Sequence, residues 1–419
     1  MNIHFIGIGG IGVSALAQYY FEKKHKVSGS DLVNSEIIQE LKKKGIKIFI
    51  GKHKKENLLT DTNLVIYSPA VQGDNPELKE AKKRKIKTFS YPEALGELTK
   101  QHFTIAITGT HGKSTTTAMT GLLLIKAGLD PTVIVGTKLK EFNNGNYRAG
   151  KSQCLVIEAC EHEESFLNYS PDIAVITNIE ADHLDFYKTL NKVKRGFAKF
   201  AKKLKNGGIL ITEREYKSKK DFEKLKKILK VPGEHNINNA LAALAVARAL
   251  KIPDKTSFEA LSNYKGSWRR FEIIKILSPK PYILISDYAH HPTEVKATLT
   301  AAKDKYPKKK IWCVFQPHQY HRTYCLFNNF IKICRQIAPK IDKLIITDIY
   351  SVAGREKEYL KKKINSKKLV QAIERKNIIY LPLEEVTNFL KKSEAEVMII
   401  MGAGDIYKLI DKLTLTKIQ

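Results

Sequence analysis

The sequence predicts an α/β protein of three domains built on parallel sheets. Short apolar runs alternate along the chain with lysine-rich amphipathic stretches, the pattern of repeated βαβ units. Three of those runs end in glycine turns: Gly7-Ile-Gly-Gly-Ile-Gly12, Gly109-Thr-His-Gly112 and Gly402-Ala-Gly-Asp405. A chain of 419 residues, 43% of them hydrophobic, can fill several cores. The pattern breaks near Gly96 to Gln101 and near Tyr264 to Trp268, which sets the expected domains at residues 1–99, 100–265 and 266–419.

In the first domain a strand from Ile3 leads into the turn Gly7 to Gly12, which opens a helix over Val13 to Lys23. A second strand, Lys26 to Asp31, ends in an acid about twenty residues on. That context marks a site for a diphosphate-linked nucleotide. Gly9, Gly10, Ile11 and Gly12 would lie against the diphosphate and Asp31 against a ribose hydroxyl. NAD and a UDP group share both features, so the turn alone does not choose between them. Leu64 to Ala70 reads as a further strand with Ser68 and Asn75 at its carboxyl end, as ligand contacts or as simple turn formers.

The second domain opens on Thr104-Ile-Ala-Ile-Thr-Gly-Thr-His-Gly-Lys-Ser-Thr115. A strand fixes a glycine turn at the start of a helix, as a nucleoside triphosphate requires. Backbone N–H groups of Gly109, Thr110, His111 and Gly112 approach the phosphates, with Thr115 close behind. Lys113 supplies mobile positive charge and Ser114 a hydroxyl for Mg²⁺. The loop is tighter than a Walker A, whose first glycine would fall at Ile107. Two further strands, Cys154 to Ala159 and from Ile173, end in polar clusters on the same sheet edge. Of these, Glu158 and His183 are the expected Mg²⁺ ligands. Glu161, Glu163 and Glu164 read as a solvated acidic turn, and Asp182 and Asp185 as helix caps. Glu234 to Asn239 then opens an alanine-rich helix over Ala240 to Leu250; Asn236 and Asn239 reach a purine or ribose, or Asn236 caps the helix.

The third domain begins at Ser267-Trp-Arg-Arg-Phe-Glu272, where paired arginines can clamp phosphate. Asp287, Tyr288, His290 and His291 follow one strand, Phe315-Gln-Pro-His-Gln-Tyr-His-Arg-Thr323 a second and Thr347 to Glu356 a third. These polar and aromatic loops on one sheet edge predict a substrate surface. Adjacent histidines lack a third ligand at a spacing typical of zinc, and no serine or cysteine nucleophile stands out.

The formal net charge of +29 comes largely from lysine spread over helix faces, without an RNA-binding aromatic motif, so nucleic acid is not the expected partner. Five cysteines without a Cys-x-x-Cys pair fit a reducing compartment. No leader and no membrane-length apolar run is visible, so the expectation is a soluble cytoplasmic protein without membrane insertion.

Taken in order, these strings resemble the Mur ligases over essentially the whole chain. The resemblance rests on the three glycine turns and Glu158-Ala-Cys-Glu161, Thr177-Asn-Ile-Glu-Ala-Asp-His183, Glu234-His-Asn-Ile-Asn-Asn239, Arg269-Arg-Phe-Glu272, Asp287-Tyr-Ala-His-His-Pro-Thr-Glu294 and Phe315-Gln-Pro-His318. It implies a Rossmann-like UDP-binding domain, a central P-loop-type ATPase domain and a Rossmann-like C-terminal domain. It implies ATP-dependent joining of L-alanine to the lactyl carboxylate of UDP-N-acetylmuramate, in peptidoglycan precursor synthesis, by a monomer or weak homodimer. Lys113 would contact the ATP phosphates, Ser114 one Mg²⁺, and Glu158 and His183 a second. Asn236 and Asn239 would face adenine, with Arg270 and Asp287 completing the ATP site. Tyr288, His291 and Arg322 would meet muramate or amino acid, and His291 is the candidate base for the ammonium proton.

Three positions depart from the family pattern: Gln319 stands where a second arginine is usual, Cys160 where many members carry aspartate, and Ser114 where threonine is commoner. A relative that joins a recycled peptide instead of alanine is the alternative, and Phe315-Gln-Pro-His318 argues against it. An NAD-dependent dehydrogenase with an accessory NTPase, and an inert binding protein, are rivals of other classes. The intact Lys113, Glu158 and His183 speak against the inert protein.

Overall fold

The computed structural model describes residues 1–276, 281–352 and 358–415. The glycine turns follow parallel strands, as the periodicity predicts, and the strands form three sheets. The first contains β1 (Asn2–Ile6), β2 (Lys26–Asp31), β3 (Lys47–Ile50), β4 (Leu64–Tyr67) and β5 (Lys87–Ser90), all parallel in the order β3-β2-β1-β4-β5. The second contains β6 (Phe103–Thr108), β7 (Thr132–Leu139), β8 (Gly145–Arg148), β9 (Cys154–Glu158), β10 (Ile173–Ile176) and β11 (Ile209–Ile211), in the order β11-β10-β6-β9-β7-β8. The third contains β12 (Glu272–Ile276), β13 (Tyr282–Asp287), β14 (Ile311–Phe315), β15 (Lys343–Ile346), β16 (Ile378–Tyr380) and β17 (Val397–Met401), in the order β12-β13-β17-β14-β15-β16. Among the described residues only the edge strands β8 and β12 run antiparallel to their neighbours.

Parallel pairing brings the carboxyl ends of neighbouring strands to one edge. In the second sheet that edge carries Thr108, Glu158 and Ile176; in the third it carries Asp287, Phe315, Ile346 and Met401. The central strands of both sheets are almost wholly apolar and buried, as sheets covered on both faces require.

The chain divides into two compact units. One comprises Met1–Ile179, Lys194–Lys217 and Ala240–Leu261, and holds the first two sheets; the other comprises Glu180–Val193, Ser218–Asn239 and Ser262–Gln419, and holds the third. Inside the first unit the helix Ile11–Glu22 joins the two sheets. Asn146 of β8 donates to the Ile11 carbonyl and to Ser14 Oγ (2.9 Å), and Gln18 Nε2 donates to Asn146 Oδ1 (3.1 Å). Lys138 of β7 pairs with Glu36 and Glu40 at 3.1 and 3.3 Å. Both glycine turns of this unit are thereby carried on one body.

Two helix expectations need correction. The alanine-rich helix runs Glu234–Ala249, so Asn236 lies inside its first turn and does not cap it. Gly233, at φ +97°, turns the chain immediately before, and its carbonyl accepts the Asn236 N–H (3.0 Å). Asp182 is not a helix cap either: the residue before helix Leu184–Tyr187 is His183, and Asp182 is buried in an ion pair. Asp185 sits in the first turn of that short helix. No described helix is long and apolar enough to cross a membrane. The five cysteines are unbridged.

Candidate active site

The glycine loop Gly109–Gly112 of the first unit is held by the two residues that follow β10. Asn178 brackets His111, accepting its N–H at Oδ1 (2.9 Å) and donating from Nδ2 to its carbonyl (2.9 Å). Thr177 Oγ1 donates to the same carbonyl (2.6 Å), and Thr110 N–H reaches the Asn178 carbonyl (3.0 Å). Gly109 (φ +140°) and Gly112 (φ +82°) both occupy backbone space that other residues avoid, and a Cβ on Gly109 would collide with Thr177 Oγ1. Gly112 immediately precedes the helix Lys113–Lys126, so Lys113, Ser114 and Thr115 form its first turn, where unpaired N–H groups favour anions.

Lys113 folds back over this loop. Its Nζ donates to the carbonyls of Gly109 (2.6 Å) and Thr110 (3.1 Å) and pairs with Glu161 at 2.9 Å. Burial pulls the lysine pKa down, but Glu161, Cys160 and Glu158 outweigh it, and the pKa ends above the ordinary value. The ammonium is therefore charged at neutral pH. Glu161, expected in a solvated turn, is only 2% exposed and is the counter-ion of Lys113. The reason is local: Glu163 and Glu164 adopt positive φ (52° and 54°), and the bent 3₁₀ segment His162–Asn168 that follows tucks Glu161 inward. Glu164 keeps its surface role, paired to Lys199 (2.9 Å).

Glu158 ends β9 one strand from the loop, in register with Ile107 of β6. Its Oε2 accepts the Gly136 N–H (2.8 Å), which fixes the carboxylate. A Cβ on Gly136 would stand 2.5 Å from that oxygen, so the glycine leaves room for the acid. A serine hydroxyl and a carboxylate oxygen are hard donors of the kind Mg²⁺ takes, so Ser114 and Glu158 fit that ion.

In the N-terminal turn, Asp31 Oδ2 accepts the Gly9 N–H (2.8 Å), so the acid expected to face ribose also braces the turn. Ser68 Oγ accepts from Ala70 N–H (3.3 Å), and Asn75 Oδ1 accepts from Glu77 and Leu78, capping helix Pro76–Lys83. The turn-former reading of both residues is the one seen. A cluster that sequence reasoning missed lies beneath. Glu77, fully buried, takes contacts from His4 (2.9 Å), Ser30 (2.6 Å), His53 (2.9 Å) and Asn57 (2.7 Å). Burial raises its pKa, but these four contacts together pull it far below the ordinary carboxylate value.

In the second unit, Asp287 ends β13 with both carboxylate oxygens on backbone N–H groups, Oδ1 on Ala289 and Oδ2 on Phe271, each at 2.7 Å. Burial nonetheless lifts its pKa to about 6. The ring of Tyr288 lies between two guanidinium groups, Arg269 and Arg270, each 4.9 Å from its centroid. Arg269 is held further by Trp268, Tyr407 and the carbonyls of Gly402 and Gly404, so it braces the last glycine turn. That role was not legible, since residues 269, 288 and 402 to 407 are remote in sequence. Arg322 pairs with Asp182 (3.1 Å) and donates to His318 Nδ1 (3.2 Å). Burial raises the Asp182 pKa, but Arg322, His183, His290 and His291 hold it well below the ordinary range. His183 has φ +49° and sits 3.7 Å from Asp182. Asn236 Nδ2 donates to the Pro232 carbonyl (2.7 Å), and Asn239 lies buried one turn along the same helix face.

His291 caps helix Pro292–Lys305: its Nδ1 accepts the Thr293 N–H (3.3 Å) and its Nε2 faces the Ala181 carbonyl (3.3 Å). The network assigns the proton to Nε2, which leaves a neutral His291 no lone pair for a substrate in this arrangement. His290 donates from Nδ1 to the Tyr288 carbonyl (3.1 Å), and burial drives its pKa down to about 4. Residues 353–356 of the third-domain loop, named in the sequence, lie outside the described residues.

Residues 2–103 match the Mur ligase family catalytic domain, residues 107–230 the Mur ligase middle domain, and residues 269–404 the Mur ligase glutamate ligase domain. The chain belongs to the Mur ligase family. Among curated relatives, a protein of Clostridium tetani named UDP-N-acetylmuramate–L-alanine ligase is 41% identical, with 98% of this chain and 97% of that protein covered. Its namesake in Acetivibrio thermocellus is 40% identical, over 97% of this chain and 94% of that one. Among solved structures, the UDP-N-acetylmuramate-alanine ligase of Thermotoga maritima superposes with a TM-score of 0.81 at 29% identity, covering both chains completely. A murein peptide ligase of Psychrobacter arcticus follows at 0.70 and 22% identity, covering 99% of this chain and 98% of that one, and shares the Mur ligase fold.

Proposed function

We propose that this Mur ligase joins L-alanine to the lactyl carboxylate of UDP-N-acetylmuramate at the expense of ATP, in cytoplasmic synthesis of peptidoglycan precursor. The observation that carries the reading is the pairing of β6 with β9. It sets Glu158 beside the phosphate loop, in the same compact unit as the N-terminal glycine turn. A triphosphate site and a diphosphate site on one body are what transfer of a phosphoryl group to a bound sugar-nucleotide requires. The relatives at about 40% identity favour the alanine ligase over the peptide-recycling alternative.

Carboxylates are poor acyl donors because oxide is a poor leaving group. In the proposed first step a lactyl oxygen attacks the γ-phosphorus and the bond to ADP breaks. The alanine amine then adds to the acyl carbon, and phosphate leaves from the tetrahedral adduct as the amine gives up its proton. Lys113 neutralises charge on the transferring group, exchanging the Glu161 contact for phosphate oxygens. Backbone N–H groups of Gly112 to Ser114, at the helix start, orient the triphosphate, because those of Thr110 and His111 are taken by Asn178. Ser114 and Glu158 would hold Mg²⁺, which supplies charge neutralisation at the phosphates. Within the second unit Arg270 is steadied on Tyr288, and Arg270, Asp287, Asn236 and Asn239 are the residues there assigned to the nucleotide. Gly9 to Gly12 and Asp31 hold the sugar-nucleotide, and Ser68 and Asn75 shape the turns beside it. For His291 to take the ammonium proton, its cap on Thr293 must first open, because Nδ1 holds the lone pair of the neutral ring. In this scheme residues 1–99 bind the UDP-sugar, 100–265 bind the ATP, and 266–419 form the third domain, in a monomer or weak homodimer.

Phosphate release by the purified protein tests the assignment. Release is expected with UDP-N-acetylmuramate, ATP, Mg²⁺ and L-alanine together, and not when any one is omitted. Release with a tripeptide but none with L-alanine would move the assignment to the recycling ligase.

A further inference from the structure

Tyr91 lies against the N-terminal glycine turn, within electrostatic reach of Glu158. It is the first residue of helix Tyr91–Gln101, placed by the Ser90–Glu93 capping box. Its ring ends against Gly12, the last glycine of the N-terminal turn. A methyl group on Gly12 would lie 2.7 Å from both Cζ and Oη of Tyr91. The same helix packs closely on the segment after β9: a Cβ on Gly96 would meet the Asn168 carbonyl at 2.5 Å. Tyr91 is consequently near enough to Glu158 and Cys160 for both to act on its hydroxyl.

The hydroxyl makes no hydrogen bond to any described residue, although half-buried phenols ordinarily find a partner. Its proton is firmly held: burial first, then the Glu158 carboxylate and the Cys160 thiol, raise its pKa above the ordinary phenol value. What remains is a neutral O–H donor beside the first turn of the helix Ile11–Glu22.

We infer that Tyr91 is a substrate-contacting residue whose hydroxyl donates a hydrogen bond to an anionic oxygen of the bound sugar-nucleotide. It would hold that ligand against Gly12 on the side of Glu158. The inference rests on the sugar-nucleotide reading of the N-terminal turn. The oxygen belongs either to the diphosphate or to the lactyl carboxylate; the chemistry is the same for both, a charged acceptor for a neutral donor.

Tyr91→Phe removes the oxygen and keeps the ring. Binding of UDP and of UDP-N-acetylmuramate to wild type and variant, measured by calorimetry, tests the inference, with the melting temperature as a folding control. Loss of a hydrogen bond to a charged group should weaken binding about ten-fold or more. KM for ATP and for L-alanine should stay unchanged. Weakening of both ligands identifies the diphosphate oxygen, and weakening of UDP-N-acetylmuramate alone identifies the carboxylate. Unchanged affinity for both, in a folded variant, overturns the inference. Failure of the wild type itself to bind either ligand would overturn the sugar-nucleotide reading and this inference with it.

Discussion

Lys113→Met should lower kcat for phosphate release by about 10³-fold or more, because it removes a charge placed where the transferring phosphoryl group needs it. The substitution also has a structural cost that must be separated from the catalytic one. Glu161 is 2% exposed, and without Lys113 its carboxylate is buried without its counter-ion. Breaking such a pair from one side costs about 3–5 kcal/mol. The double variant Lys113→Met, Glu161→Gln should recover most of that stability while remaining inactive. Urea denaturation and a phosphate assay on the two variants read the effects independently. Recovery of activity together with stability would mean that Lys113 serves the fold and not the chemistry.

Glu77→Leu should be the most damaging single change to stability in the first sheet, at about 3–5 kcal/mol. It leaves His4, Ser30, His53 and Asn57 without their shared acceptor, in a site where His4 and Glu77 are both fully buried. The pH dependence has a definite sign. The folded-state pKa of Glu77 is depressed, so the stability it confers is fully present above its unfolded pKa of about 4.3 and drains away as pH falls from there through the lower folded-state pKa. The melting-temperature gap between wild type and Glu77→Gln should therefore be constant near neutrality and narrow below about pH 4.3. A gap that widened on acidification would contradict the ionised state assigned to Glu77.

These two groups also mark what can be read from a sequence and what cannot. The glycine turns, the strands before them and the helices after them are encoded within stretches of a dozen residues, and Gly109 to Ser114 stands as those stretches predict. The placement of Glu158 at the loop edge was legible because parallel pairing fixes which strand ends meet. Glu161 was misjudged because its burial depends on a kink at Glu163 and Glu164, two residues whose positive φ nothing in their type announces. The Glu77 cluster draws on residues 4, 30, 53, 57 and 77, and only the β1, β2 and β4 register brings their segments together. Asn236 was read as a possible cap because asparagine favours that position, but Gly233 begins the helix earlier. Two histidines in tandem suggest a base; only coordinates reveal that His291 has both ring nitrogens engaged while burial makes His290 a weak one.

All of this presumes that the sugar-nucleotide presents its carboxylate to the phosphoryl group held at Lys113. Oxygen-isotope transfer reads that step directly. UDP-N-acetylmuramate labelled with ¹⁸O in the lactyl carboxylate, turned over with ATP and L-alanine, should yield inorganic phosphate carrying one labelled oxygen, because the carboxylate oxygen leaves with phosphorus. Phosphate free of label, with the oxygen displaced from the carboxyl carbon appearing in water or AMP instead, would contradict the acyl-phosphate route and the account of the site built on it.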